Sequence, residues 1–497
     1  MRVRRLRQPS NNPVLVLVKE LKRRAGWALL LGLCCLAGPG AAQAPTEVVR
    51  QGHVPADSLF RLFYVPIEVP VGTAEIRVRE DYNHDGGNVL NLGVYDAAGY
   101  RPGTTAGFRG WSGGAKTAFF INAQTASTGY VPGRLRPGTW HVLLYSSAIA
   151  PAGLDWKLTV TLVPGPVGPV FVPAPAATVI NAQPGWYRGD LHMHTLHSDG
   201  RRTPAELVDE AVAQGLDFII PTEHNTNSAN LSWGRYARPN LLVINGEEVT
   251  TTAFGHWNAL GLEPTTLIDW RYSPPDSSIA RYTAQVRALG GLAIINHPFF
   301  PDTVNRFRFG ARHFDGIEVW NGQWDARNER ALAWWDALLR QGRPLLAVAA
   351  SDTHTAAPSP NQLGRPRTVV QATGLSRAGI MRGLRARRAY LVADRSLRLT
   401  LTARAGGTSA GIGDTLVVAA GQRIEVAFEL RGASGGTVTL LGENGGLATS
   451  PVAATGLTAG RWPLAGSRPR FLRLEVRTPK GTMLALTNPI WVSSGPQ

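Results

Sequence analysis

Between about residue 48 and residue 163, apolar positions recur at every second residue, in short runs interrupted by Gly, Pro, Asn and Asp. The alternation is unbroken in Ala74-Glu-Ile-Arg-Val-Arg-Glu80 and in Trp156-Lys-Leu-Thr-Val-Thr-Leu162, and turn signals fall at Gly86-Gly87, Gly113-Gly114 and Pro137-Gly138. A period of two gives each strand one apolar and one polar face. Residues 45–163 are therefore expected to form an all-β unit, a β-sandwich or jelly roll. Within it, Asp81-Tyr-Asn-His-Asp-Gly86 sets oxygens at alternate positions, as a calcium loop does. The twelfth position, where such a loop needs a glutamate, is Leu92, so an Asx-rich hairpin turn is expected instead. Pro164, Pro166, Pro169, Pro173 and Pro175 then crowd 164–184, which reads as a stiff linker.

From 185 to about 394 the period changes. Apolar runs at 187–193, 217–222, 241–249, 255–262, 292–297, 315–320 and 344–350 read as seven strands. In 204–215, Pro204 stands at the start and Gly215 at the end, while Leu207, Val208, Ala211 and Val212 fall on one helical face. Comparable spacing marks 276–289, 325–340 and 376–388 as helices. Strands alternating with helices predict an α/β fold with a TIM-like barrel. Beyond Ser396 strand spacing returns, with turns at Gly406-Gly407 and Gly435-Gly436, and predicts a second β-sandwich over 395–497. No repeat of fixed period is present.

Composition alters this picture at one end. Hydrophobic residues make up 44% of the 497 positions, the level of a folded chain rather than a disordered one. Residues 1–44 differ in kind: eight basic residues precede the apolar run from Trp27 to Ala37, and small residues follow through Ala41, Ala42 and Ala44. That order is the order of a secretory signal peptide, with cleavage expected after Ala42 and an exported mature protein, periplasmic or extracellular. The apolar run is short for a membrane span, and Leu33 makes a poor lipobox before Cys34. Both cysteines, Cys34 and Cys35, lie in this leader, so any metal site in the mature chain must use nitrogen and oxygen ligands. The leader also carries +7 of the net charge of +16. The rest is spread thinly as arginine with no basic cluster, and no nucleic-acid partner is expected.

Eight of the eleven histidines lie between His192 and His354. His192 and His194 are two apart at the end of the first strand, so their side chains point the same way, and Asp352 and His354 repeat the spacing after the last. His224, the pair Glu247 and Glu248, and His297 end other strands, while His256 opens one and Glu318 lies within one. Barrel enzymes draw their sites from the carboxyl ends of several strands, and imidazoles converging there with carboxylates suit a multi-metal centre.

The motifs Asp190-Leu-His-Met-His-Thr-Leu-His-Ser-Asp-Gly200, Thr222-Glu-His-Asn225, Asn296-His-Pro298 and Ser351-Asp-Thr-His354 resemble those of the polymerase and histidinol phosphatase (PHP) superfamily. Phe108-Arg-Gly-Trp-Ser-Gly-Gly-Ala115 and Leu484-Ala-Leu-Thr-Asn-Pro-Ile-Trp491 resemble its carbaryl-hydrolase-like (CehA/McbA) branch. The resemblance implies a distorted (β/α)7 barrel over 185–394 holding two or three divalent ions, manganese, iron or zinc. It implies that His192, His194, Glu247 and Asp352 hold the first ion, that Glu247 bridges to a second on His256 and His297, and that Asp199, His224 and His354 hold a third. Choosing Glu247 over Glu248 rests on matching alone, because neighbours on a strand face opposite ways and one of the two is excluded. Glu247, Asp352 and His354 are the implied catalytic set. Glu318 is open between a supporting role and a buried structural one, and His197 falls outside the set.

The expected activity is metal-dependent hydrolysis of a small-molecule ester by a metal-bridging hydroxide, with phosphoesters first and a carboxylester, carbamate or amide second. A reading from another class is a surface carbohydrate-binding or assembly protein in which the β units act. Asn225, Asn296 and Asn321, with Arg201, Arg202, Arg365 and Arg367, are candidates for orienting substrate.

Overall fold

The computed structural model describes residues 44–274, 277–302, 304–464 and 468–494. The expected leader, with both cysteines, lies outside them apart from Ala44. No helix among the described residues is long and apolar enough to cross a membrane.

The first part of the chain forms two four-stranded antiparallel sheets. One is ordered Thr46–Val54, Leu154–Pro164, Thr73–Tyr82, Ala118–Asn122, and the other Leu62–Val69, Gly138–Ala148, Val89–Tyr95, Phe108–Gly113. Ile76, Val78, Leu158 and Val160 from the first sheet and Leu92, Val94, Trp140 and Val142 from the second share one apolar cluster. The stretch 83–88 is a turn, with Asn83 Oδ1 accepting from Asp155 N. It joins strands of opposite sheets, so it is not the hairpin that was expected.

The second sheet is buried on its other face too. Tyr95, Trp111, Leu143 and Tyr145 belong to a cluster with Val249, Trp257, Trp270 and Trp335 from the following α/β part of the chain. Arg271 locks the two together: paired with buried Asp269, it donates to Tyr64 Oη and to the carbonyls of Tyr100, Arg101 and Thr104.

All seven strand positions expected between 185 and 350 hold strand. They divide between two sheets and do not close into one ladder. Gly246–Thr250, His256–Leu260, Leu292–Ile295, Gly316–Asn321 and Leu346–Ala350 make a five-stranded sheet. Gly185–Asp190, Phe218–Ile219 and Leu242–Val243 join an eleven-stranded one that runs on, through Arg367–Ala372 and Ala389–Val392, into the C-terminal strands. The pairing is not uniformly parallel either: Gly246–Thr250 and His256–Leu260 are antiparallel because the five residues between them cannot hold a crossover helix. Two isolated parallel bridges, Met193 to Thr353 and His224 to Glu248, tie the sheets at the strand ends.

Helices Pro204–Ala213, Ser278–Ala288, Ala326–Arg340 and Arg377–Arg385 lie where the spacing predicts them. Thr203 and Glu206 form a reciprocal capping box on the first, and Asp325 caps the third. On the first helix Leu207, Val208 and Ala211 are buried, whereas Val212 is half exposed, one step off the apolar face. Hydrogen bonding crosses position 394 without a break, and the C-terminal strands share a core with Tyr390 and Val392.

Candidate metal centre

The chain segments 190–194 and 351–354 run side by side beyond their strands. His194 N donates to Thr353 O and Asp352 N to His192 O. Asp190, buried, accepts from the amides of His192, Ser351 and Gly364 and so fixes both segments. The 223–225 segment is joined in the same way to Glu248, which exchanges backbone bonds with Glu223 and Asn225. Asn225, His297 and Asp352 each have positive φ, at 52°, 22° and 51°. Non-glycine residues rarely adopt this conformation, and here it turns site groups inward at the strand ends.

Four atoms form a compact cage. Glu248 Oε2 lies 3.1 Å from His192 Nε2 and 3.4 Å from His194 Nε2, and Asp352 Oδ1 lies 3.3 Å from each of the same nitrogens. Ligands about 2.0–2.1 Å from one tetrahedral ion sit roughly 3.3–3.4 Å apart, so the cage has the dimensions of a metal site. Both nitrogens and Glu248 Oε2 are buried without a hydrogen-bond partner, which is the state of groups aimed at a cation. The other oxygen, Glu248 Oε1, lies 3.1 Å from His256 Nδ1 and 3.2 Å from His297 Nε2. Asp199 Oδ1 gathers a looser group, with His354 Nε2 at 3.4 Å and His224 Nε2 at 3.7 Å.

Glu248, and not Glu247, is thus the glutamate that faces the histidines, and the expectation for Glu247 is corrected by one residue. Glu248 is paired across the antiparallel ladder with Asn258, and Asn296 Nδ2 donates to both side chains. Glu247 points to the opposite face of the strand, where its Oε2 accepts from Ile268 N at 2.8 Å. Burial pushes its carboxyl well above the ordinary range, against the backbone hydrogen bond. The catalytic role expected of Glu247 falls with its place.

Electrostatics mark the cluster as built for positive charge. Burial alone would raise Glu248 and Asp352, yet the surrounding histidines, His192 foremost, hold both well below the usual carboxylate range. His194 is pushed down to about 3 by burial and by His354 and His224, so it keeps a free lone pair. Glu318 is resolved as a supporting group: its Oε1 lies 3.0 Å from His192 Nδ1, and its Oε2 accepts from His297 N and Asn321 Nδ2. A carboxylate on the outer nitrogen of a ligating histidine fixes its tautomer and aims the inner nitrogen.

Glu223 was overlooked, although it sits within a quoted motif. It is buried and accepts from Thr195 N, Thr195 Oγ1 and Ser198 Oγ, bracing the loop that carries Asp199. His197 stands apart, bonded to Ser228 Oγ. Of the polar candidates, Asn225 lines the cavity, but both ends of its amide are engaged by the Thr250 backbone. Asn296 and Asn321 touch ligand carboxylates and not the cavity wall. Arg202 is buried against Thr353 and Glu210, Arg367 against the carbonyls of Gly364 and Gln214, and neither they nor Arg201 or Arg365 line the cavity. The arginine expectation is withdrawn.

No protein-family model matches the chain, and no curated protein does. Among solved structures it is similar to a two-domain protein containing a predicted PHP-like metal-dependent phosphoesterase from Bacteroides vulgatus, at 19% identity over 64% of this chain and 98% of that one, with a TM-score of 0.38. It is also similar to an amidohydrolase from Chromobacterium violaceum with bound sulfate and no metal, at 19% identity over 35% of this chain and 89% of that one, with a TM-score of 0.27. Likenesses this loose do not bear on the chemistry.

Proposed function

We propose that the chain is an exported metal-dependent hydrolase of ester bonds, of the PHP kind, with phosphoesters as its first substrate class. The observation that carries the reading is the cage of His192, His194, Glu248 and Asp352, whose two nitrogens and Glu248 Oε2 are buried without a hydrogen-bond partner, with His224 Nδ1 a further 3.0 Å neighbour of that oxygen. These four would hold one divalent ion, Glu248 with His256 and His297 a second, and Asp199 with His224 and His354 a third. Such ions act as Lewis acids on an ester oxygen and make water a better nucleophile at neutral pH. The chain's own groups keep the donors in register: Glu318 orients His192, Asn321 Nδ2 holds Asp352 Oδ2, and Asn296 holds Glu248 Oε1. Two or three divalent ions would more than neutralise Asp199, Glu248 and Asp352, and the surplus favours an anionic reacting group.

A second reading keeps the metals and changes the bond to a carboxylester, carbamate or amide. It draws on the absence of any Lys or Arg among the described residues lining the cavity. A panel of aryl phosphates, phosphodiesters, carboxylesters and N-methylcarbamates, assayed with added manganese, iron or zinc, separates the two. Turnover of phosphates alone supports the first reading, turnover of the uncharged esters the second, and no turnover with any metal overturns both. Intact-mass analysis from the native host tests export, with a mature terminus at Gln43 expected and a retained leader contradicting it.

A further inference from the structure

The cavity over the histidines is lined from two parts of the chain: Asn91, Trp111 and Ser147 of the N-terminal β unit border it together with Asp199, His224 and His354. The β unit also grips the loop 195–199, which carries Asp199. Lys116, in the turn between Phe108–Gly113 and Ala118–Asn122, donates from Nζ to the carbonyls of Leu196 and Ser198, at 2.9 Å each. The second of these carbonyls belongs to the peptide bond that joins Ser198 to Asp199. Gly129 of the same unit presses on the loop between them. A Cβ there would lie 2.9 Å from His197 O and 2.7 Å from Trp111 O, closer than a side chain can come, and its φ of 95° suits glycine. Gly129 O in turn accepts from Thr226 Oγ1, two residues beyond His224.

These ties matter because of how Asp199 is held. The side chains of Glu248 and Asp352 are 1% and 13% exposed and are held by the amides of Asn296 and Asn321, whereas that of Asp199 is 43% exposed. Packing does not fix it, so its place follows from the backbone of the loop. Glu223 braces that backbone from the α/β side, through Thr195 and Ser198. Lys116 braces it from the β unit. An ammonium has three donors, so one side chain can fix two carbonyls at once.

We propose that Lys116 is a positioning residue of the metal centre, which sets Asp199, through the Leu196 and Ser198 carbonyls, where it can share a divalent ion with His224 and His354. The proposal rests on the metal-hydrolase reading for the ion itself. The donors suit such an ion in kind, since one atom each of His194, Asp199, His224 and His354 all lie within 4.8 Å of one another. The third ion is then the one that depends on the N-terminal β unit, while the two on Glu248 do not. The unit becomes part of the centre and not an appended module.

The test uses the full-length mature protein, loaded with manganese and desalted. Ions per chain are counted by elemental analysis, and the affinity of the weakest is read by manganese titration with the free ion followed by electron paramagnetic resonance. Wild type should retain three. Lys116→Met should keep the two on Glu248 and bind the third at least about tenfold more weakly, with circular dichroism unchanged. Lys116→Arg, which restores the charge and the donors, should recover most of that affinity. Thr226→Val removes the bond to Gly129 O and serves as a second variant should Lys116→Met fold poorly; it should weaken the same ion. A third ion held equally by wild type and both folded variants overturns the proposal, as does loss of all three ions together. Equal weakening in Lys116→Arg and Lys116→Met would mark a packing effect and also overturns it. Wild type that takes up two ions and no third overturns the proposal and leaves the hydrolase reading standing, whereas wild type that binds none overturns both.

Discussion

Glu248 presents one oxygen to His192 and His194 and the other to His256 and His297, at 3.1 to 3.4 Å. Glu248→Gln keeps the shape and removes the charge. It also turns an amide N–H2 toward one pair of nitrogens, so one cage loses its position-248 oxygen donor outright. The other keeps a weaker, neutral donor. Altering a supporting residue of a metal site costs about 10–100-fold in affinity or activity, and Glu248 serves both cages directly. Losses in the two multiply to roughly 100- to 10,000-fold, or about 3–5 kcal/mol of transition-state stabilisation. Glu247→Gln, one residue away, alters a side chain that faces away from the histidines and keeps an oxygen for Ile268 N, so activity should stay within about twofold. The assay is kcat/KM on the preferred ester at saturating metal, with metal content measured by elemental analysis and folding by circular dichroism. An inactive Glu247→Gln beside an active Glu248→Gln would refute the assignment of faces on this strand.

Two further outcomes follow from buried carboxylates. Glu223→Gln should loosen the loop from Thr195 to Asp199 and lower kcat/KM by about 10–100-fold, with the Glu248 cages still loaded; an unchanged rate would show that the bracing is unnecessary. Glu80, buried in the N-terminal unit with neither oxygen partnered, has its carboxyl pushed up to about 9 by burial, with Asp81 adding to the shift. A folded-state value above the unfolded one favours folding in full below the ordinary 4.5 and loses that contribution as pH rises toward about 9. The Tm of the wild type should therefore fall across that window, and Glu80→Gln should flatten the curve; identical pH profiles would contradict the burial argument.

Much of the architecture was legible because it rests on local signals. The first helix announced itself through Pro204 at its start, Gly215 at its end and Leu207, Val208 and Ala211 on one face. The convergence of the histidines was legible because spacing by two at a strand end puts His192 with His194 on one side. The register at Glu247 and Glu248 was not, since Gly246–Thr250 is buried on both faces from Gly246 to Val249 and the sequence carries no polar face to break the tie. Nor was the second wall of the cavity, because Asn91, Trp111 and Ser147 meet the histidine and carboxylate cluster only through packing between segments far apart in the chain. The arginines misled for a related reason: a buried Arg367 satisfied by carbonyls and an arginine poised for substrate look alike in a sequence.

Metal content tests the central claim most directly. Mature protein purified without chelators should carry about two to three equivalents of manganese, iron or zinc per chain. Stripping the metal should abolish hydrolysis, and adding it back should restore it. Protein that binds no transition metal, or that hydrolyses its ester at full rate in excess chelator, would contradict the account.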